Sequence, residues 1–213
     1  MIAKEGPKII FGFLIVALLA TICIFIFPSV ATKIIAPVYY LALFFLTWFY
    51  LDFETKVNDG DTLVVSPTDG RVVAYDKFEG KYVGDAKVIT IFKSVFDFQV
   101  NRIPDDSEIV DVKYIHGKFM SAYNPATSFD NECRRINILG KIGRRYGVIQ
   151  IAGMLANRIV PYLRKGDFGK KGDRIGLIKF GPKVDVIMPA DIAVQARLNQ
   201  KLKAGKTVIG ICK

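Results

Sequence analysis

Ile178-Lys179-Phe180-Gly181-Pro182-Lys183-Val184-Asp185-Val186 consists of two short β-like runs on either side of a Gly-Pro dipeptide. Glycine reaches backbone angles closed to other residues and proline holds φ near about −65°, so the pair reads as a turn between apolar segments. Similar runs fill most of the chain around it. Residues 62–65, 71–75, 87–92, 109–114, 135–139, 148–152, 175–180, 184–188 and 192–198 read as strands, broken by Gly, Asp, Asn or Pro. Helical periodicity is scarce here: residues 155–162 are too short to assign, and 119–128 read as a loop or a helical turn. The fold class expected is mainly β, a compact sandwich or barrel-like body.

The N-terminal quarter has a different composition. Residues 9–27 and 34–51 are two apolar runs without a charge, separated by Pro28-Ser29-Val30-Ala31-Thr32-Lys33. Each is about as long as a helix needs to cross ~30 Å of hydrocarbon. A cleaved signal peptide has a shorter apolar core, and a second apolar run does not usually follow it at once. The expectation is a two-helix membrane hairpin over residues 1–51 and a single β domain over 52–213. Pro37, near the start of the second run, suits a first helical turn, and Tyr39, Tyr40, Trp48 and Tyr50 suit interfacial belts.

Lys and Arg number 30 against 20 Asp and Glu, a net charge of +10. Only Lys4, Glu5, Lys8 and Lys33 precede Asp52, so the surplus belongs to the C-terminal part. That charge predicts attraction to polyanions, and beside a hairpin the partner expected is an anionic membrane surface, with the β domain on the cytoplasmic side of the cell membrane. Nucleic acid is not expected, because aromatic residues are not interleaved with the basic pairs Arg134-Arg135, Arg144-Arg145 and Lys170-Lys171. Those pairs, with Lys141, read as solvated or membrane-facing edges. Cys23, Cys133 and Cys212 form no CxxC pair, so neither a disulfide framework nor a metal site is expected. His116 is the only histidine, which excludes a mechanism needing two imidazoles.

Two stretches have the composition of a site. In Ser66-Pro67-Thr68-Asp69-Gly70, Asp69 stands where an aspartate commonly bonds its own backbone and starts a turn, or where it serves as an acid–base group if a partner is near. Phe96-Asp97-Phe98-Gln99-Val100-Asn101-Arg102-Ile103-Pro104 gathers amides and a guanidinium in apolar company. It is either a site or a strand with Asn101 and Arg102 facing water. The turn-then-strand segments at 66–73 and 188–194 echo each other faintly, as in barrel-sandwich modules.

Taken together these segments resemble the phosphatidylserine decarboxylase family in its short bacterial and archaeal form, which includes archaetidylserine decarboxylases. The likeness runs through Trp48-Phe49-Tyr50-Leu51-Asp52, residues 66–73, Ile91-Phe92, residues 96–104, Gly117-Lys118-Phe119, Asn131-Glu132, residues 150–160, Gly166-Asp167, residues 172–181 and Val184-Asp185-Val186, in order. The resemblance implies a proenzyme that cuts itself at a Gly-Ser bond, the serine becoming a pyruvoyl group that serves as electron sink for loss of CO₂ from phosphatidylserine. Asp69 matches the family aspartate, and Gly181 precedes the bond that would be cut. Phe98, Asn101, Arg102 and Arg158 fall where substrate contacts are implied.

Two positions depart from the family pattern. Gln99 stands where the family has histidine, and an amide is no base at neutral pH. Pro182 stands where it has the pyruvoyl-forming serine, and proline has no hydroxyl to attack with. None of the 18 glycines is followed by Ser, Thr or Cys. The reading that follows is a membrane-anchored relative of phospholipid metabolism that is not self-processed and is catalytically impaired, with no cofactor expected in this chain. It would bind an aminophospholipid and act as a homo-oligomer or beside an active paralogue. The alternatives are an active decarboxylase and a non-catalytic barrel-sandwich membrane module.

Overall fold

The computed structural model describes residues 3, 6–26, 29–58, 60–118, 130–153, 158–179 and 183–212, the side chains of Thr32 and Arg158 excepted. The chain divides into two compact units, Met1–Glu54 and Thr55–Lys213.

The first unit holds two helices, α1 (Gly6–Ile26) and α2 (Val30–Phe49). Long uncharged runs of Leu, Ile, Phe and Ala favour helix, and nothing in α1 divides its surface into polar and apolar faces. The two helices meet through stacked rings of Phe13 and Tyr39, 5.4 Å apart, and through the hydroxyls of Thr21 and Tyr40. Helix α1 is long and apolar enough to cross a bilayer, whereas the apolar stretch of α2, Lys33–Phe49, is shorter. Pro37 does not fall in a first turn. Because α2 begins at Val30, the proline lies in the helix interior, where it cannot donate to the Lys33 carbonyl.

The second unit is mainly β, as expected. Its strands are β1 (Leu63–Val65), β2 (Gly70–Gly80), β3 (Gly84–Phe92), β4 (Val100–Arg102), β5 (Ser107–Ile115), β6 (Cys133–Gly140) and β7 (Arg145–Ile151). They continue with β8 (Arg158–Pro161), β9 (Phe168–Gly169), β10 (Arg174–Lys179), β11 (Lys183–Pro189), β12 (Ala193–Val194), β13 (Lys201–Leu202) and β14 (Val208–Ile211). Three sheets form: an antiparallel one of eight strands, β13-β2-β3-β11-β7-β6-β5-β9, and two of three strands, β4-β10-β8 and β1-β14-β12. The expected strand at 192–198 shrinks to the two residues of β12, and β8 lies inside the stretch too short to assign. Residues 119–128, along with Gly181 and Pro182, lie outside the described residues.

Strands β10 and β11, the two runs around Gly181-Pro182, do not pair with each other. Strand β10 joins β4 and β8, whereas β11 pairs with β3 and β7 in the large sheet. Lys179 and Lys183 thus end and begin strands of two different sheets.

Cross-strand registers explain the core. Ile136, Val148, Val186 and Ile89 are successive partners across β6, β7, β11 and β3, and all four are buried. Ile175, Leu177 and Ile178 of β10, Val64 and Ile209 add to the buried set. Each such side chain contributes about 1.5–3 kcal/mol when fully removed from water. The next row is Arg134, Gln150, Val184, Ile91 and Val72, so two polar residues enter an otherwise apolar face.

Gly70 opens β2 with φ of +148°, and a Cβ there would stand 2.4 Å from the Phe92 carbonyl oxygen. We expect Gly70→Ala to lower stability by about 2 kcal/mol or more, seen as a lower urea midpoint with unchanged slope.

Candidate functional site

Asp69 immediately precedes β2, in a loop held by backbone bonds to distant segments. The Arg102 amide donates to the Pro67 carbonyl at 2.7 Å, and the Gly205 amide donates to the Ser66 carbonyl at 2.8 Å. The side chain does not start a local turn. Its Oδ2 accepts from Lys203 Nζ and its Oδ1 from the Ala204 amide, both at 2.8 Å. Asp69 is buried while Lys203 is half exposed, and Lys203 Nζ also lies 5.4 Å from the centroid of the Phe98 ring. One residue far along the chain thus links two of the predicted positions.

Gln99 and Asn101 are fully buried, and Arg102 is nearly so. The reading of a strand with Asn101 and Arg102 facing water is therefore overturned. Gln99 Nε2 donates to the carbonyls of Asp97 at 2.6 Å and Ser94 at 3.2 Å. Two carbonyl acceptors identify that end of the amide as the NH₂ group, leaving Oε1 without a partner among the described residues. Arg102 donates to the Gly172 carbonyl at 2.9 Å. Arg158 opens β8, its Cα opposite that of Lys179.

Asn101 belongs to a buried polar chain. Arg134, which can only donate, gives hydrogen bonds to Gln150 Oε1 at 3.2 Å, the Ile175 carbonyl at 3.2 Å and the Leu163 carbonyl at 2.6 Å. Gln150 Nε2 then donates to Asn101 Oδ1 at 2.8 Å. Asn101 Nδ2 has no partner among the described residues. Burial lowers the Arg134 pKa to about 10, so the guanidinium stays charged at neutral pH. Gly176 makes room for this chain, since a Cβ there would stand 2.7 Å from the Val160 carbonyl oxygen and 3.3 Å from Gln150 Nε2. Arg134 and Lys171, expected at solvated edges, are both inside. Lys171 donates to the Gly60 carbonyl at 2.6 Å and stands 3.9 Å from Asp105.

Sequence reasoning missed Lys93. It follows the end of β3, and alternation puts it on the face of Ile89 and Ile91. Its side chain is buried and Nζ has no partner among the described residues. Burial pulls its pKa down to about 7, against the opposing pull of the Asp69 and Asp97 carboxylates. The signal was present in Ile89-Thr90-Ile91-Phe92-Lys93, where strict alternation assigns the lysine to the apolar set. His116 is exposed beside the Tyr114 ring.

The opposite face of the large sheet bounds a cavity of about 1020 Å³, lined among others by Thr90, Cys133, Arg135, Ile149, Lys183 and Asp185. Thr90 donates to Asp185 Oδ1 at 2.8 Å, and burial raises the Asp185 pKa. Among the described residues, Asp69, Phe98, Gln99, Asn101 and Arg102 do not line this cavity, so volume and chemistry point to different faces. The chemistry decides, because Asp69, Gln99, Asn101 and Lys93 are buried polar groups, with the Asp69 carboxylate acting on the Lys93 amine and Gln99 bonded to the carbonyl next to Lys93. Among the described residues no group of three His, Cys, Asp or Glu side chains could hold a metal ion.

Residues 42–210 match the phosphatidylserine decarboxylase family. The chain belongs to that family. Phosphatidylserine decarboxylase proenzymes from Geobacter metallireducens and Syntrophus aciditrophicus are 34% and 33% identical, covering 99% and 98% of this chain and 96% of each relative. The proenzyme of Symbiobacterium thermophilum is 37% identical over 99% of this chain and 95% of its own length. Among the described buried polar groups of this decarboxylase-family fold there is one amine of lowered pKa, Lys93, and no imidazole.

The Lys93 value sets a pH dependence. An unfolded lysine keeps its proton to near 10.5, whereas the native amine releases it near 7, so between these values the unfolded chain holds more protons and stability rises with pH. Below that window the penalty is present in full. Lys93→Met removes it, and the variant's stability advantage should shrink by on the order of 3 kcal/mol from about pH 7 to about pH 10, measured by urea unfolding.

Proposed function

We propose that this chain is a membrane-anchored member of the phosphatidylserine decarboxylase family that neither cleaves itself nor makes a pyruvoyl group, and that it binds an aminophospholipid headgroup. The observation that carries this reading is Pro182 after Gly181, where the resemblance puts the serine that must attack and then become pyruvoyl. Proline has no hydroxyl, so it can neither attack the preceding carbonyl nor become pyruvoyl. Gln99, at the position of the family histidine, is an amide with its NH₂ committed to two backbone carbonyls, so it cannot take a proton. These residues do not fit a pyruvoyl group.

Residues 1–51 serve as the anchor and 52–213 as the lipid-binding domain, held on the cytoplasmic side of the cell membrane. Support for the anchor comes from the length of α1 and from large apolar side chains on both helices, such as Phe25 and Leu41, that are exposed within the protein. The net charge of +10 suits an anionic lipid surface. Asp69, Phe98, Asn101, Arg102 and Arg158 are the residues assigned to the headgroup site. The chain works as a homo-oligomer or beside an active paralogue.

Intact-mass spectrometry of the purified protein should give one chain of 213 residues. A cut after Gly181 with a modified N-terminus at residue 182 would overturn the reading. The double substitution Gln99→His with Pro182→Ser should restore cleavage, since it returns a nucleophile and a base to the two altered positions. Vesicles containing phosphatidylserine should retain the wild-type protein better than phosphatidylcholine vesicles carrying equal negative charge from another lipid.

A further inference from the structure

Among the described residues three buried polar atoms of the β unit have no hydrogen-bond partner: Lys93 Nζ, Gln99 Oε1 and Asn101 Nδ2. Lys93 and Gln99 share a neighbour. The Gln99 amide is bonded to the carbonyl of Ser94, the residue after Lys93. Asn101 is bonded to Gln150, which pairs across β11 with the row containing Ile91, two residues before Lys93 on the same face. Buried polar groups in folded proteins are almost always satisfied, and such a cluster calls for a bound partner. Among the described residues the chain Arg134–Gln150–Asn101 is bonded as far as Asn101 Nδ2, where it ends.

The chemistry of the three atoms is that of a nucleophilic amine, a hydrogen-bond acceptor and an amide donor. A buried lysine with a pKa near neutrality carries a lone pair where a surface lysine does not, which is the condition for attack on a carbonyl. We propose that Lys93 is a carbonyl-reactive amine that forms a Schiff base with a small carbonyl compound bearing a carboxylate. Asn101 Nδ2 and the Lys203 ammonium provide donors for the carboxylate, and Gln99 Oε1 accepts from the carbinolamine hydroxyl. The amine nitrogen bonds to the carbonyl carbon, its two protons pass to the carbonyl oxygen, and that oxygen leaves as water, so no oxidant or reductant is consumed. The charged groups facing Lys93 are Asp69 before β2 and Asp97 before β4, and Asp69 is itself paired with Lys203. The proposal needs neither cleavage at Gly181 nor lipid binding.

The test is reductive trapping on the full-length protein in detergent, with glyoxylate and cyanoborohydride, read by peptide mass spectrometry. At about pH 7 Lys93 should be modified roughly tenfold or more faster than exposed lysines such as Lys141 and Lys206, with half-maximal rate near its own pKa. Lys93→Met should abolish that adduct alone, with circular dichroism showing the same strand content. Modification following exposure, with Lys93 untouched, would overturn the proposal. Equal rates at Lys93 with glyoxylate and with propanal, which lacks a carboxylate, would overturn the carboxylate part of it. Both outcomes leave the intact-mass result unaffected, so this inference and the reading of Pro182 fail separately.

Discussion

Arg134 has five donors and no acceptor, and its place inside the β unit dictates the orientation of everything bonded to it. Gln150 must present its oxygen to the guanidinium and therefore its NH₂ to Asn101, which in turn must present its own oxygen. The eight-stranded sheet supplies Arg134 and Gln150, and the three-stranded sheet supplies Asn101, so the polar chain ties two layers together through their interior. Replacing any middle member would leave a buried group unpaired, which costs more than the net value of the bond lost. Such a chain is a constraint on register as much as a source of stability, because a one-residue slip of β6 or β7 would carry a polar side chain to the other face.

The same alternation sorts the remaining chemistry. On one face of the large sheet lie Ile89, Ile91, Val184 and Val186 with Arg134, Gln150 and Lys93; on the other lie Thr90, Cys133, Arg135 and Asp185 around the cavity. Neighbouring residues thus have unrelated surroundings: Arg134 is buried and bonded while Arg135 is exposed. A basic pair read along the chain looks like one surface feature, whereas in the sheet its two members are separated by the thickness of the backbone.

The strands around Gly181-Pro182 illustrate how local and non-local information divide. Their β character was legible from apolar, β-branched residues. That β10 and β11 enter different sheets was not, since pairing depends on which distant strands compete for each edge. Asp69 shows the same division: its Asp-Gly context suggested a local turn bond, but Lys203 and the Ala204 amide reach it from the far end of the chain. Pro37 was misplaced for a simpler reason, because the helix extends back through Lys33 despite its charge.

The sequence by itself determined the class, the β body behind two N-terminal helices, and the family, because period-two patterning, long uncharged runs and ordered motifs are properties of neighbouring residues. Only the tertiary structure decided that Asn101, Arg102 and Arg134 are interior and that Lys203 closes on Asp69. It alone left Lys93 with an amine that has no partner among the described residues. Burial and pairing of a polar group depend on what distant strands place around it, and no local pattern carries that information.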